Sequence, residues 1–283
     1  MPAFRAPDGT RLAYRVLGEQ GEPVLCLPGG PMLDADYLGD LGGLGQDARL
    51  VVLDLRGTGG SAVPTDPESY RCDRLVGDVE ALADHLRLGN FGLLGHSAGA
   101  NLALLYAAAY PERVSRMALI NPSTWAIGLE RTSEQRREIT RLRRGEPWFA
   151  GAAAAFERLH AGRGTEADME AVAPFTYGRW DEAAQAHHAA EAARSNPEAA
   201  RAFGTEGAYD PPATRAAMAR FGAPVLLLAG EVDMVDPPSV MAEFAAVFPA
   251  ARFVVQPGAG HYPWLDDPTA FRAAVGPFLA GTG

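Results

Sequence analysis

The sequence has little cysteine and little positive charge, and each shortage argues against a class of function. Its two cysteines are Cys26, within an apolar run, and Cys72, before a charged helix start, so we predict packing roles and no disulfide framework. Lysine and arginine together number 25 against 35 acidic residues, which gives a formal net charge of −10. Because nucleic acids and anionic membranes bind clustered basic residues, we expect neither as a partner.

Long apolar segments, nucleotide-binding glycine motifs and metal-ligand clusters are also missing from the sequence. Residues 1–5 lack the apolar run of a signal peptide, and no segment is long and apolar enough to cross a bilayer. We therefore expect a cytoplasmic protein. Without a Gly-x-Gly-x-x-Gly motif or a ligand cluster, we expect no cofactor and no metal. The sequence does not indicate the oligomeric state.

Short apolar runs alternate with helical patterns in the first part of the chain. Such continuous runs are typical of parallel strands that helices cover on both faces. Residues 11–17 instead alternate polar and apolar side chains, which predicts a more exposed strand at the sheet edge. Helical spacing predicts helices over residues 73–86 and 268–279. The continuous runs lie at residues 24–27, 50–55, 91–94 and 117–120.

The middle of the chain has a different character. Residues 123–221 contain no strand-like run, are rich in alanine, glutamate and arginine, and are interrupted by glycine and proline. Strand patterns resume at residues 225–230 and 253–255. We predict an α/β core domain formed by residues 1–122 and 222–283, with residues 123–221 as a helical cap, or lid, domain over the carboxyl ends of the strands.

A Gly-His-Ser-Ala-Gly motif occupies residues 95–99, between an apolar run and a helical segment. Gly-x-Ser-x-Gly at such a joint predicts a nucleophile elbow, a strained turn that raises the Ser97 hydroxyl above the sheet. A match of five residues can arise by chance. The flanking strand and helix patterns make chance a poorer explanation here.

A serine nucleophile needs a base and an acid that orients the base. His261 is the predicted base, because it lies in a glycine-rich loop directly after the last strand pattern. Asp233 follows the preceding strand pattern and is the predicted acid, with Glu231 and Asp236 as weaker choices in the same loop. The other strand end that could carry the acid holds Asn121, which has no charge to stabilise an imidazolium.

Attack by serine creates an oxyanion, which two backbone N–H groups must stabilise. Ala98, directly after the nucleophile, is predicted to supply one. The other is expected from the Pro-Gly-Gly-Pro loop at residues 28–31, with Gly30 as first choice and Gly29 as second.

These motifs together resemble α/β-hydrolase-fold serine hydrolases over nearly the whole chain. The loop at residues 28–31, the stretch at 53–61 and the elbow resemble the proline iminopeptidase branch, whose members release an N-terminal residue from short peptides or amides. His96 and Ala98 beside the serine are instead a form shared with many esterases and carbon–carbon hydrolases. The mostly parallel sheet, with a helical cap inserted before the strand that carries the acid, is the fold that this resemblance implies.

The resemblance also implies a substrate-binding group. Trp180, Asp181 and Glu182 resemble the Trp-Glu pair by which proline iminopeptidases hold the substrate amine. The alternative is that an acidic residue caps the following helix and Trp180 packs the cap onto the core. We expect a small ester, amide or short peptide as substrate, possible release of an N-terminal amino acid, and no cofactor. The alternatives are a carboxylesterase, a lactonase, a carbon–carbon bond hydrolase, or a hydrolase homologue that binds a ligand without turnover.

Overall fold

Eight strands form one mixed sheet in the computed structural model, which describes residues 1–282. The strands are β1 Ala3–Arg5, β2 Arg11–Leu17, β3 Pro23–Leu27, β4 Arg49–Leu53, β5 Phe91–His96, β6 Val114–Ile120, β7 Val225–Gly230 and β8 Ala251–Gln256. The α-helices are α1 Cys72–His85, α2 Ala98–Ala109, α3 Ser133–Arg141, α4 Phe149–His160, α5 Glu166–Ala171, α6 Glu182–Arg194, α7 Pro197–Phe203, α8 Pro211–Met218, α9 Pro238–Ala245, α10 Pro263–Asp266 and α11 Pro268–Leu279.

The strand order is β1-β2-β4-β3-β5-β6-β7-β8. The strands from β4 to β8 in this order pair in parallel. The pairs β1–β2 and β2–β4 are antiparallel. Strands β5 and β7 are buried at every residue, as their continuous apolar runs predict. The predicted α/β-hydrolase fold with a mostly parallel sheet is confirmed.

One strand lies at a different place from the prediction. Residues 11–17 form a strand, but β1 pairs outside it, with Ala3 opposite Ala13. The second strand therefore lies one position in from the sheet edge. A three-residue strand carries too few side chains to show an alternating pattern, which is why the sequence did not indicate it.

The two faces of the sheet pack against two separate apolar cores. Leu25 and Leu93 point into one core, and their neighbours Val24 and Leu94 point into the other. This alternation follows from the two-residue period of a strand. Cys26 lies in the second core as a buried free thiol, and Cys72 is a buried free thiol in the first.

Six of the α-helices, α3 to α8, lie between β6 and β7. We call residues 123–221, which contain them, the helical insertion. Hydrogen bonds join the insertion to the rest of the chain: Asp34 N–H donates to the Arg194 carbonyl at 2.9 Å, and Asn196 Nδ2 donates to the Gly57 carbonyl at 2.8 Å. Its division as a separate cap domain stays a prediction. None of the helices within residues 1–282 has the length and apolar character needed to span a membrane.

A buried ion pair between the loop after β4 and helix α1 gives a test of the fold. Arg56 Nε donates to Asp78 Oδ2 at 2.8 Å, and the two side chains are 4% and 1% exposed. We expect Asp78→Ala to lower the free energy of unfolding by about 3 kcal/mol, because it leaves a buried guanidinium without its main partner. Chemical denaturation measures this. Asp84→Asn, which breaks an exposed pair, is expected to cost less than about 1 kcal/mol, and equal losses in both variants would contradict the account.

Candidate active site

Ser97 lies on a strained turn between β5 and α2. Its φ of 51° and ψ of −121° place a non-glycine residue in the left-handed region. The turn is also packed tightly against the end of β3, since a Cβ on Gly99 would lie 2.2 Å from the Leu27 carbonyl oxygen. Only glycine fits at that position, and the close approach brings the loop after β3 against the serine.

His261 and Asp233 meet beside this turn. His261 Nδ1 lies 2.8 Å from Asp233 Oδ2, and both side chains are buried. The other carboxylate oxygen, Asp233 Oδ1, accepts a hydrogen bond from the Val235 N–H at 2.8 Å. Because the charged carboxylate is an acceptor, Nδ1 carries the proton and Nε2 keeps its lone pair. Burial disfavours the imidazolium, but the charge and hydrogen bond of Asp233 outweigh burial, so the pKa of His261 lies above its ordinary value.

The two weaker candidates for the acid have other partners. Glu231 is exposed and accepts a hydrogen bond from the Gly258 N–H at 2.8 Å. Asp236 is buried and pairs with Arg131 at 2.8 Å. An oxygen of Asp236 nevertheless lies within 4.8 Å of an oxygen of Asp233 and a ring nitrogen of His261. Asp233 is hydrogen-bonded to His261 Nδ1, and Asp236 is paired with the Arg131 guanidinium.

Two backbone N–H groups remain available for an oxyanion. The Gly30 and Ala98 N–H groups donate to no acceptor within residues 1–282. The Gly29 N–H, by contrast, donates to the Tyr37 hydroxyl at 2.7 Å. Gly29 approaches the elbow so closely that a Cβ there would lie 2.9 Å from the Ser97 Cβ. This geometry favours Gly30 and Ala98 over Gly29 as oxyanion donors.

His96 joins three parts of the site, a role that the sequence did not indicate. Its Nε2 donates to the His261 carbonyl at 2.9 Å, because a carbonyl oxygen can only accept. Its Nδ1 therefore accepts, at 2.7 Å, from the Tyr37 hydroxyl that holds Gly29. Burial and repulsion from His261 hold the pKa of His96 well below its ordinary value, which keeps this ring neutral. A sequence shows neither ring orientation nor which tyrosine faces it.

Asn121 joins the two loops that carry the acid and the base. Its Oδ1 accepts from the Gly230 N–H at 2.7 Å, and its Nδ2 donates to the Gly260 carbonyl at 2.9 Å. Its φ of 41° is in the left-handed region, which asparagine tolerates better than most residues. Asn121 thus positions Asp233 and His261 from the strand end where it had been considered as an unsuitable acid.

Ser97, His261 and Gly30 line one cavity of about 580 Å³, a volume suited to a small ligand. No hydrogen bond joins Ser97 Oγ to His261 Nε2 in the described part of the chain, although both residues line this cavity. Such bonds often form only with substrate bound. The insertion contributes to the wall as well, through Glu170, His188, Ala189, Glu191, Ala192, Ser195 and Ala200.

The three residues predicted to hold a substrate amine lie at the start of α6. Asp181 is the N-cap of α6, where its Oδ1 accepts from the Ala184 N–H at 3.0 Å. Trp180 packs against Tyr177 at a ring distance of 5.3 Å, and Glu182 is exposed in the first helical turn. None of the three predicted residues, as described, lines the cavity that contains Ser97. Asp181 makes the contact of the helix-cap alternative, and a role of the three residues in binding the substrate stays a prediction.

Tyr37 gives a test of the hydrogen-bonded frame. Tyr37→Phe leaves both the Gly29 N–H and His96 Nδ1 without a partner in a buried site. We expect a loss of about 2–3 kcal/mol in the free energy of unfolding, and a slower reaction of Ser97 with an active-site phosphonate. Tyr106→Phe also deletes a hydroxyl, one that bonds Glu80 far from the site, and is expected to leave that rate unchanged. A normal rate in Tyr37→Phe would contradict the role of the frame.

The family described as alpha/beta hydrolase fold matches residues 22–268. A proline iminopeptidase from Lactobacillus helveticus is 36% identical over 133 residues, which are 44% of this chain and 45% of that protein. A putative 2-succinyl-6-hydroxy-2,4-cyclohexadiene-1-carboxylate synthase from Bacillus subtilis is 29% identical over 96% of both chains.

A solved structure of a proline iminopeptidase from Mycobacterium smegmatis superposes with a TM-score of 0.77 at 22% identity, over 99% of this chain and 98% of that one. At that identity the likeness shows the fold alone. The chain spans less than half the length of several curated relatives that it matches. The match over residues 22–268 nevertheless covers most of the chain, and the protein therefore belongs to the α/β-hydrolase-fold family.

Proposed function

We propose that the protein is a serine hydrolase that cleaves a small-molecule ester or amide through an acyl-enzyme. The observation that carries this proposal is the convergence of Ser97 and His261 on one cavity, with Asp233 bonded to the histidine. Each group is a reagent that acyl transfer requires: a nucleophile, a base and an acid that orients the base.

The reaction follows from the hydrogen bonds. His261 Nε2 accepts the Ser97 proton as Oγ attacks the substrate carbonyl, and Asp233 stabilises the imidazolium that forms. The free Gly30 and Ala98 N–H groups donate to the oxyanion. His261 then gives its proton to the leaving alcohol or amine. In the second half, water attacks the acyl group while His261 accepts its proton. The bond from the acyl carbon to Ser97 Oγ then breaks, His261 returns the proton to Oγ, and the carboxylic acid is released.

We infer that the acyl part of the substrate carries a positive charge, as a free amino group does. Two carboxylates of the insertion, Glu170 and Glu191, line the cavity and face His188 at 3.0 and 3.4 Å. Tyr262, which follows the proposed base in the chain, donates its hydroxyl to Glu191. A cation placed against this wall would meet a carboxylate already held in position, whereas an anionic substrate would be repelled. Release of an N-terminal amino acid is the activity that fits this wall.

Cleavage of an uncharged ester or lactone is the second candidate. His188 and Tyr262 already hydrogen-bond the two carboxylates, so an uncharged substrate can occupy the cavity without replacing these contacts. The remaining wall is largely apolar, with Leu33, Val235 and the three alanines of the insertion. The first candidate activity needs the Glu191 carboxylate to bind the substrate cation, whereas the second does not.

Ser97→Ala tests the class of reaction. We expect hydrolysis of p-nitrophenyl acetate to fall by at least about 1,000-fold, because the variant cannot form an acyl-enzyme. Hydrolysis is followed by absorbance, and circular dichroism checks that the variant folds. Wild-type protein that hydrolyses neither the ester nor proline or alanine p-nitroanilide would favour the alternative of a ligand-binding homologue.

Glu191→Gln tests the charge of the substrate. We expect kcat/KM for alanine or proline p-nitroanilide to fall by about 10-fold to 100-fold, since one charge-assisted hydrogen bond is lost, while p-nitrophenyl acetate hydrolysis stays within about threefold. Glu182→Gln is the matched control, because the structure places that carboxylate outside the cavity. Equal effects on the ester and the anilides would support the uncharged substrate. A loss of anilide hydrolysis in Glu182→Gln alone would instead support the amine-binding role that the sequence predicted for residues 180–182.

A further inference from the structure

Asp236 is a second buried carboxylate beside His261, and the reaction described above gives it no role. The side chain is 1% exposed, and Oδ1 accepts a hydrogen bond from Arg131 Nη1 at 2.8 Å. The other oxygen, Oδ2, has no hydrogen-bond partner among residues 1–282. Burial of a partly bonded carboxylate is costly, so its negative charge acts strongly on the groups around it.

The groups that face Asp236 come from three parts of the chain. Its own loop supplies Asp233, the loop after β8 supplies His261, and an oxygen or ring nitrogen of each lies within 4.8 Å of an Asp236 oxygen. The insertion supplies Arg131 and, further away, Arg136, whose buried Nε has no partner in the described chain. The proposed base thus has two carboxylates near it, one bonded directly and one held by an arginine.

We propose that Asp236 is a positioning residue that acts through His261, and that Arg131 of the helical insertion sets its charge. The inference rests on the proposed function, because it assigns Asp236 to the base of that mechanism. A carboxylate at this distance in a buried site stabilises the imidazolium and therefore raises the proton affinity of the histidine. Arg131 favours the charged carboxylate, so contact with the insertion keeps that second charge in place.

The charge of Asp236 changes in the same pH range as that of His261. Burial and then repulsion from Asp233 raise the pKa of Asp236 to about 6, and Arg131 opposes that rise. The charges of Asp233 and Asp236 both raise the pKa of His261, and Glu191 across the cavity adds to them. As the pH falls, His261 gains its proton first and Asp236 next. Loss of the Asp236 charge then lowers the proton affinity of His261, so the two titrations are coupled.

Loss of the Asp236 charge is expected to extend activity to lower pH. The base must be neutral to accept the Ser97 proton, so kcat/KM falls as the pH drops through the pKa of His261. Without the Asp236 charge that pKa is lower, and activity persists to lower pH. In the wild-type protein the fall is therefore shallower than a one-proton titration, because protonation of Asp236 releases part of the His261 protons.

The experiment measures His261 directly, by NMR titration of the full chain labelled in its histidine rings and assigned with His261→Gln. We expect two coupled steps in the wild-type protein, one of them near the pKa of Asp236, about 6. Asp236→Asn should give a single step, with the His261 pKa lowered by at least about half a pH unit. Arg131→Gln should move the lower step to higher pH, because the guanidinium no longer favours the charged carboxylate.

Two further measurements distinguish a failure of the Asp236 proposal from a failure of the proposed function. Asp84→Asn removes a charge on the exposed end of α1 and should leave the His261 titration unchanged. The pH profile of kcat/KM for p-nitrophenyl acetate should shift with the NMR values. A single-step wild-type titration, which needs no variant to fold, or an unchanged His261 pKa in folded Asp236→Asn would overturn the proposal. Absence of any hydrolysis would instead overturn the proposed function, and the NMR titration would still decide whether Asp236 controls His261.

Discussion

The close contact between the nucleophile turn and the end of β3 is the constraint on which the rest of the site depends. A Cβ on Gly99 would lie 2.2 Å from the Leu27 carbonyl oxygen, and one on Gly29 would lie 2.7 Å from the His96 carbonyl oxygen. Neither contact is possible for a larger residue. Because the two backbones touch, Gly30 lies on the same cavity as Ser97, whose own φ is in the left-handed region.

Buried hydrogen bonds then fix the remaining strand ends relative to this contact. His96 joins the turn to the His261 loop and, through Tyr37, to Gly29. Asn121 joins the carboxyl end of β7 to the His261 loop. These residues do not touch the reacting atoms in the proposed mechanism. They limit the distance over which the nucleophile, base and oxyanion donors can move apart, which is the main requirement for a preorganised acyl-transfer site.

The helical insertion contributes charge as well as shape. Glu191 and Glu170 line the cavity, and Arg131 pairs with Asp236 in the loop that carries Asp233. The Thr176 carbonyl accepts the His261 N–H at 2.7 Å, so the backbone of the insertion also holds the proposed base. In this account the core supplies the reagents, and the insertion determines which substrate charge is accepted and how strongly the base holds its proton.

Features that depend on strand order could be predicted from the sequence, and those that depend on helix orientation could not. Asp233 and His261 follow two strand patterns, and parallel strands bring their ends together, so the meeting of the two side chains was predictable. The wall that holds Glu191 was not, because helix α6 is polar around much of its surface and buries only Ala184. The pattern at residues 180–182 is compatible both with a binding group and with a helix cap, and Asp181 caps α6. Tyr37 and Asn121 each act through two hydrogen bonds, which leave no periodic signal in a sequence.

The most direct test of the central claim is to trap the acyl-enzyme. The protein is mixed with p-nitrophenyl acetate, quenched in acid within milliseconds and analysed by peptide mass spectrometry. The account predicts an acetyl group on the peptide that contains Ser97, formed in the same burst that releases nitrophenol and lost as steady-state turnover ends. Nitrophenol release with no acyl group on Ser97, or with the acyl group on another residue, would contradict it.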